Sequence, residues 1–143
     1  MGRILGIDAG RRRIGLAISD PTRTLARPLH TLSVASHDAV DQVVGHIGAL
    51  AADADGLDAI VVGMPMRLDG SPTDETPRVA RFIAQLRART PIPVFEEDER
   101  LTSREAESRL ALRERNWRKR KARIDAVAAA IILQDYLDRT GEP

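Results

Sequence analysis

The sequence predicts an α/β fold: a mixed five-stranded sheet with helices on both faces. Three observations carry this. Two short apolar runs at residues 3–8 and 14–19 flank a tight glycine- and arginine-rich turn, the pattern of a hairpin. Helical periodicity then alternates with short apolar runs, the pattern of parallel strands joined by crossover helices. The 143 residues suit a single domain spanning 1–143, long enough to bury a core without covalent staples.

Taken in order, the hairpin is followed by a run from Leu25 to Leu32. Its Pro28 lacks a ladder donor and marks it as an edge strand. Ser36 is placed to cap a helix whose apolar positions Val40, Val43, Val44, Ile47 and Leu50 share one face, and Asp55-Gly56 marks its end. Leu57 to Gly63 is nearly continuous in apolar character, as a buried parallel strand requires. A loop from Met64 to Asp74 follows, with Asp69 and Ser71 as minor candidates on a substrate-side flap. Thr76-Pro77 reads as cap and first residue of a second helix, with Val79, Phe82, Ile83 and Leu86 as its buried stripe. Pro93 to Glu97 forms the fifth strand, and Thr102-Ser103-Arg104-Glu105 is a capping box for a further helix. The final helix runs from about Ile124 to Leu137.

Composition removes several classes of chemistry. With no Cys there are no disulfides, thiolate metal sites or Cys nucleophile, and a reducing cytoplasm is the expected location. No apolar run approaches membrane-spanning length. The net charge of +1 is uninformative, but its distribution is not. Between Arg113 and Arg123 the basic residues Arg113, Arg115, Arg118, Lys119, Arg120, Lys121 and Arg123 face a single acid, Glu114. With Trp117 among them, this segment reads as a flexible nucleic-acid arm: cations for phosphates and an indole for an unpaired base.

The chemistry-bearing residues are carboxylates. Asp8 ends the first strand, where desolvation costs several kcal/mol unless a cation pairs with it. On the last helix, Gln134 lies about 180° and Asp138 about 220° around the axis from Asp125, so Asp125 sits off their polar stripe and toward the sheet. Glu96-Glu97-Asp98-Glu99 ends the fifth strand; alternation puts Glu96 and Asp98 on one side, Glu97 and Glu99 on the other. Carboxylates at the C-terminal ends of neighbouring strands converge at the usual ligand position of an open α/β sheet. Asp8, Asp125 and either Asp98 or Glu99 then form a site that needs a countercharge. Oxygen donors without His or Cys favour Mg²⁺ or Mn²⁺. Such an ion activates water for displacement at phosphorus. Arg11, Arg12 and Arg13 beside Asp8, and Arg100 beside the second acidic cluster, are the candidate phosphate contacts.

These blocks together carry a family resemblance. Gly6-Ile7-Asp8-Ala9-Gly10, Arg13-Ile14-Gly15-Leu16-Ala17-Ile18-Ser19-Asp20, Ile60-Val61-Val62-Gly63-Met64-Pro65, Asp69-Gly70-Ser71, Asp98-Glu99-Arg100-Leu101-Thr102-Ser103 and Asp125-Ala126 with Ile132-Leu133-Gln134 resemble the YqgF/RuvX family, in order and across almost the whole chain. That family is similar to the RuvC type of Holliday-junction resolvase, with an RNase H-like fold. The resemblance implies a metal-dependent nuclease that processes the 5′ end of pre-16S ribosomal RNA, with resolution of branched DNA as the alternative. It implies metal-binding acids at Asp8, within Asp98-Glu99 (Glu99 preferred) and at Asp125. It also implies a nucleic-acid partner and, for junction resolution, a homodimer that supplies two active sites. The chain departs from the RuvC pattern in one respect: its fourth strand ends Gly63-Met64-Pro65 without an acid, so Asp98-Glu99 must supply the second one.

Two other readings use the same residues. The actin–hexokinase–Hsp70 superfamily carries a similar Asp-x-Gly hairpin that binds ATP phosphates, but it closes two lobes on the nucleotide and this chain has room for one. A non-catalytic nucleic-acid-binding module would keep the acids as structural residues, and Asp8→Asn would then leave its function intact.

Overall fold

The computed structural model describes residues 2–34, 38–98 and 117–140, with side chains in the last stretch from residue 124 onward. Eight elements follow one another: β1 (Arg3–Ala9), β2 (Arg13–Ser19), β3 (Ala26–Ser33), α1 (Ala39–Ala52), β4 (Leu57–Met64), α2 (Thr76–Arg89), β5 (Val94–Asp98) and α3 (Trp117–Thr140). The strands form one sheet in the order β3-β2-β1-β4-β5. The three N-terminal strands pair antiparallel, while β4 and β5 add in parallel on the other side of β1.

Strand alternation divides the interior into two layers. Leu5, Ile7, Ile14, Leu16, Ile18, Ile60 and Val62 project onto Val43 and Ile47 of α1 and Val79, Phe82, Ile83 and Leu86 of α2. Ile4, Ala17, Ala59 and Val61 project to the other face, onto Ala129, Ile132, Leu133 and Leu137 of α3. On the sheet side of this layer Gly6, Gly15, Ala17 and Ala59 are small, so α3 lies close to the sheet. A Cβ on Gly6 would come within 2.8 Å of the Leu133 Cβ and 3.0 Å of the Ala129 carbonyl oxygen.

Pro28 sits on β3, which is an edge of the sheet as the missing donor demands. The β2–β3 register shifts between Leu16 and Ala17, whose partners are His30 and Pro28; Leu29 is the extra residue of a bulge beside the proline. At α2 the expected cap is displaced by one residue. Glu75 occupies the cap position, and the Thr76 hydroxyl donates to the Pro65 carbonyl at 2.6 Å and accepts from the Thr73 amide at 2.8 Å. Thr76 thus ties the 65–74 loop to the helix instead of satisfying the helix's own amides. Ser36 and the 102–105 capping box lie outside the described residues.

The largest difference from expectation is the length of α3. It begins at Trp117, so the backbone of Trp117–Arg123 is helical and continuous with the apolar part of the helix. Arg, Lys and Ala are good helix formers and no Gly or Pro interrupts this stretch. This part of the basic segment is a helical extension and not a separate flexible arm. No helix of the described residues is long and apolar enough to cross a membrane.

Candidate active site

Asp8 is the penultimate residue of β1 and shares its parity with Ile4 and Gly6, the residues that meet α3. Directly opposite Asp8 in the β1–β2 ladder is Gly15. A Cβ on Gly15 would overlap the main-chain carbonyl of Asp125. The absence of a side chain there allows the α3 backbone to rest on β2 at the residue paired with Asp8. Asp8 and Asp125, separated by most of the chain, are brought to the same level of the same face.

Asp125 is half-buried, and its Oδ2 accepts a hydrogen bond from Arg13 Nε at 2.7 Å. Arg13 opens β2 with the parity of Gly15, so the strand that makes room for α3 also supplies the guanidinium that orients its carboxylate.

β5 distributes its acids over both faces. Phe95 stacks on Tyr136 of α3 with ring centroids 6.1 Å apart, and Glu97 is ion-paired with Arg139 of α3. Val94 belongs to the layer under α1 and α2. Asp98, two residues beyond Glu96 and four beyond Val94, therefore projects to the face opposite Asp8 and Asp125. Convergence of Asp98 with that pair, one of the two sequence alternatives, runs against the pleat. Glu99 and Arg100 lie outside the described residues. Among the described residues no three His, Asp or Glu side chains form a group able to hold a metal ion. The donors present, two hard carboxylates with no nitrogen or sulfur ligand, match Mg²⁺ or Mn²⁺ in kind and need at least one more ligand.

The three arginines of the hairpin turn diverge. Arg13 joins the acid face. Arg11 turns to the α2 side and pairs with Glu75 at 2.6 Å. Arg12 is exposed, while its carbonyl accepts the Val34 amide at 3.0 Å. Glu75 also accepts from Arg78 Nε at 2.7 Å, and Arg78 Nη2 donates to the Ala9 carbonyl at 2.8 Å. Hydrogen bonds from Arg11 and then Arg78 hold Glu75 below the usual carboxylate range. Trp117, Arg118, Lys119, Arg120 and Lys121 lie on the first turns of α3 by their backbone.

The Met64–Asp74 loop closes on itself. Met66 bridges Pro72, and the Asp69 carboxylate accepts from the Ser71 amide at 2.9 Å and its hydroxyl at 2.6 Å, with Gly70 at φ +88°. Asp69 and Ser71 thus build a turn.

Sequence reasoning missed three polar anchors. Buried Ser19 accepts the Ile4 amide at 2.8 Å. Gln134, expected on the solvent side, accepts from the Ala26 amide and donates to the Thr24 carbonyl, both at 2.9 Å, and so holds the start of β3. Glu75 has no local signal, because its partners come from the hairpin and from its own helix. For Gln134, the one clue in the sequence is its position at the end of an otherwise apolar helical run.

The chain matches the family model described as "RuvX: Holliday junction resolvase" over residues 2–139. It is 42% identical to a protein of Roseiflexus sp. (strain RS-1) over 96% of this chain and 94% of that protein. It is 41% identical to one of Chloroflexus aggregans over 98% and 96%. Both relatives carry the name "Putative pre-16S rRNA nuclease". In fold the chain is similar to the Fowlpox virus resolvase solved with Holliday junction DNA (TM-score 0.59, 9% identity, 98% of this chain and 99% of that one). It is also similar to T. thermophilus RuvC solved with a Holliday junction substrate (TM-score 0.51, 18% identity, 99% and 97%). These likenesses place the sheet among RNase H-like folds. The sequence match over nearly its full length shows that the chain belongs to the RuvX family of nucleases.

Proposed function

We propose that this nuclease hydrolyses phosphodiester bonds at the 5′ end of pre-16S rRNA in the cytoplasm, with Mg²⁺ or Mn²⁺ held by Asp8, Asp125 and Glu99. The observation that carries this reading is the seat of Asp125 on Gly15, opposite Asp8. A helix drawn against a strand pair at that point brings two carboxylates to one level of one face, where Arg13 supplies one positive charge to Asp125 and a divalent ion would supply more. Glu99 is preferred to Asp98 because Asp98 has the parity of Val94, which faces α1 and α2 and not α3. A divalent ion bound there supplies a Lewis acid and lowers the pKa of a water molecule. Arg13 orients Asp125, Arg12 and Arg100 take phosphate oxygens, and the basic start of α3 with Trp117 holds the flanking strand; Arg11, committed to Glu75 on the α2 side, leaves this group. The relatives' name supports the RNA substrate.

Branched DNA is the second reading. It is supported by the family model's description and by the two junction-bound resolvases that share the fold, and it requires a homodimer. Incubation of wild type and Asp8→Asn with a pre-16S RNA end and with a four-way junction, in Mn²⁺, tests both. Expected is metal-dependent shortening of the RNA to the mature 5′ end by wild type, loss of cutting in Asp8→Asn, and retained binding in a gel shift. Symmetric cleavage of the junction with the RNA left intact would transfer the assignment to DNA. No metal-dependent cutting of either substrate, or full activity in Asp8→Asn, would overturn the proposed metal site.

A further inference from the structure

On the face of the sheet opposite Asp8, a cavity of about 340 Å³ opens between the β1–β2 turn, the start of α1 and α2. Its floor is apolar, formed by Ile14, Val40 and Phe82, and its rim carries Arg11, Arg78 and Arg81. Arg78, Arg81, Phe82 and Gln85 fall at helical spacing, so α2 presents cations and a flat apolar surface to the same opening.

The cations are held in advance. Glu75 bridges Arg11 and Arg78, and Arg78 is further fixed on the Ala9 carbonyl. Arg81 has no ion-pair partner among the described residues. Three guanidiniums against one carboxylate leave an excess of positive charge, which calls for an anion. The cavity falls within the size range of small-molecule sites, roughly 300–1,000 Å³, more room than a bare phosphate uses. A ligand that satisfies both halves joins a phosphate to a planar, largely apolar body.

We propose that this cavity binds a nucleoside 5′-monophosphate unit, with its phosphate on Arg78 and Arg81, its base against Val40 and Phe82, and the Gln85 amide at the base edge. A free nucleotide and the 5′-terminal nucleotide of a single strand offer the same chemistry. The site is separate from the acid face, and its occupancy does not require catalysis.

Isothermal titration of the full chain without divalent metal, using 5′-AMP, adenosine and inorganic phosphate, tests it. AMP is expected to bind about tenfold more tightly than either fragment, because adenosine lacks the phosphate and inorganic phosphate lacks the base. Arg81→Ala, at an exposed position, should weaken AMP about tenfold; Val40→Phe, which fills the floor, should abolish binding; Asp8→Asn should leave it unchanged. Displacement of AMP by a 5′-phosphorylated oligonucleotide assigns the site to a strand end, and failure to displace it assigns the site to the free nucleotide. Phosphate binding as tightly as AMP, no binding of AMP at all, or affinity indifferent to both Arg81→Ala and Val40→Phe would overturn the proposal.

Discussion

Gly15 matters at this site without any chemistry of its own, because its missing side chain leaves room for the α3 backbone at Asp125. Gly15→Ala forces either the helix or the strand to shift, and overpacking of this kind costs about 1–3 kcal/mol. Expected is a lowered urea midpoint together with loss of cleavage greater than the stability change explains, since Asp125 moves with the helix. A variant with the stability loss but normal kcat would show that the seat is structural only. Asp20 gives a pH prediction. Its carboxylate accepts the amides of Leu25, Thr24 and Thr22 and the Thr22 hydroxyl, and these bonds lower its pKa from the ordinary 3.8 to about 2. A depressed carboxylate contributes stability that is present above its unfolded pKa and lost as pH falls through its folded one. Urea midpoints measured from pH 5 to pH 2 should therefore fall for wild type across that window, and the slope should be shallower in Asp20→Asn.

At the scale of elements, most of the architecture is legible in the sequence and the junctions between elements are not. The stripe Val79, Phe82, Ile83, Leu86 is buried as its spacing requires, and Pro28 stands on an edge strand. Helical angle alone directs Asp125 toward the sheet, and it bonds Arg13 of β2. What escapes is chemistry between distant segments. Thr76 looks like a cap because local sequence cannot register the Pro65 carbonyl that takes its hydroxyl. The helical extension over Trp117–Arg123 is hidden because a run of like charge suggests a solvated arm, whereas the same residues propagate a helix already nucleated by the apolar stretch that follows. That continuity carries its own prediction. Replacing Lys119, Arg120 and Lys121 together with Ala should weaken nucleic-acid binding at low salt. It should also flatten the dependence of log K on log salt by about 0.7 for each phosphate of a single strand that is no longer neutralised. Filter binding between 50 and 200 mM salt measures it, and an unchanged slope would remove these residues from the interface.

Across the whole molecule, the sheet separates two kinds of surface. One face bears Asp8 and Asp125 and receives α3; the other bears the arginine-rimmed cavity beside α1 and α2. The β1–β2 turn belongs to both, because Arg13 leaves it toward Asp125 and Arg11 toward Glu75. The bond between Arg13 and Asp125 also spans 112 positions of the sequence. A ribosome that has made β1 and β2 still has most of the chain to synthesise before α3 can dock. On the proposed metal site, an unfinished copy of this nuclease is therefore harmless to RNA in its vicinity: cutting power arrives only with the last helix, and the order of synthesis itself acts as a safety catch.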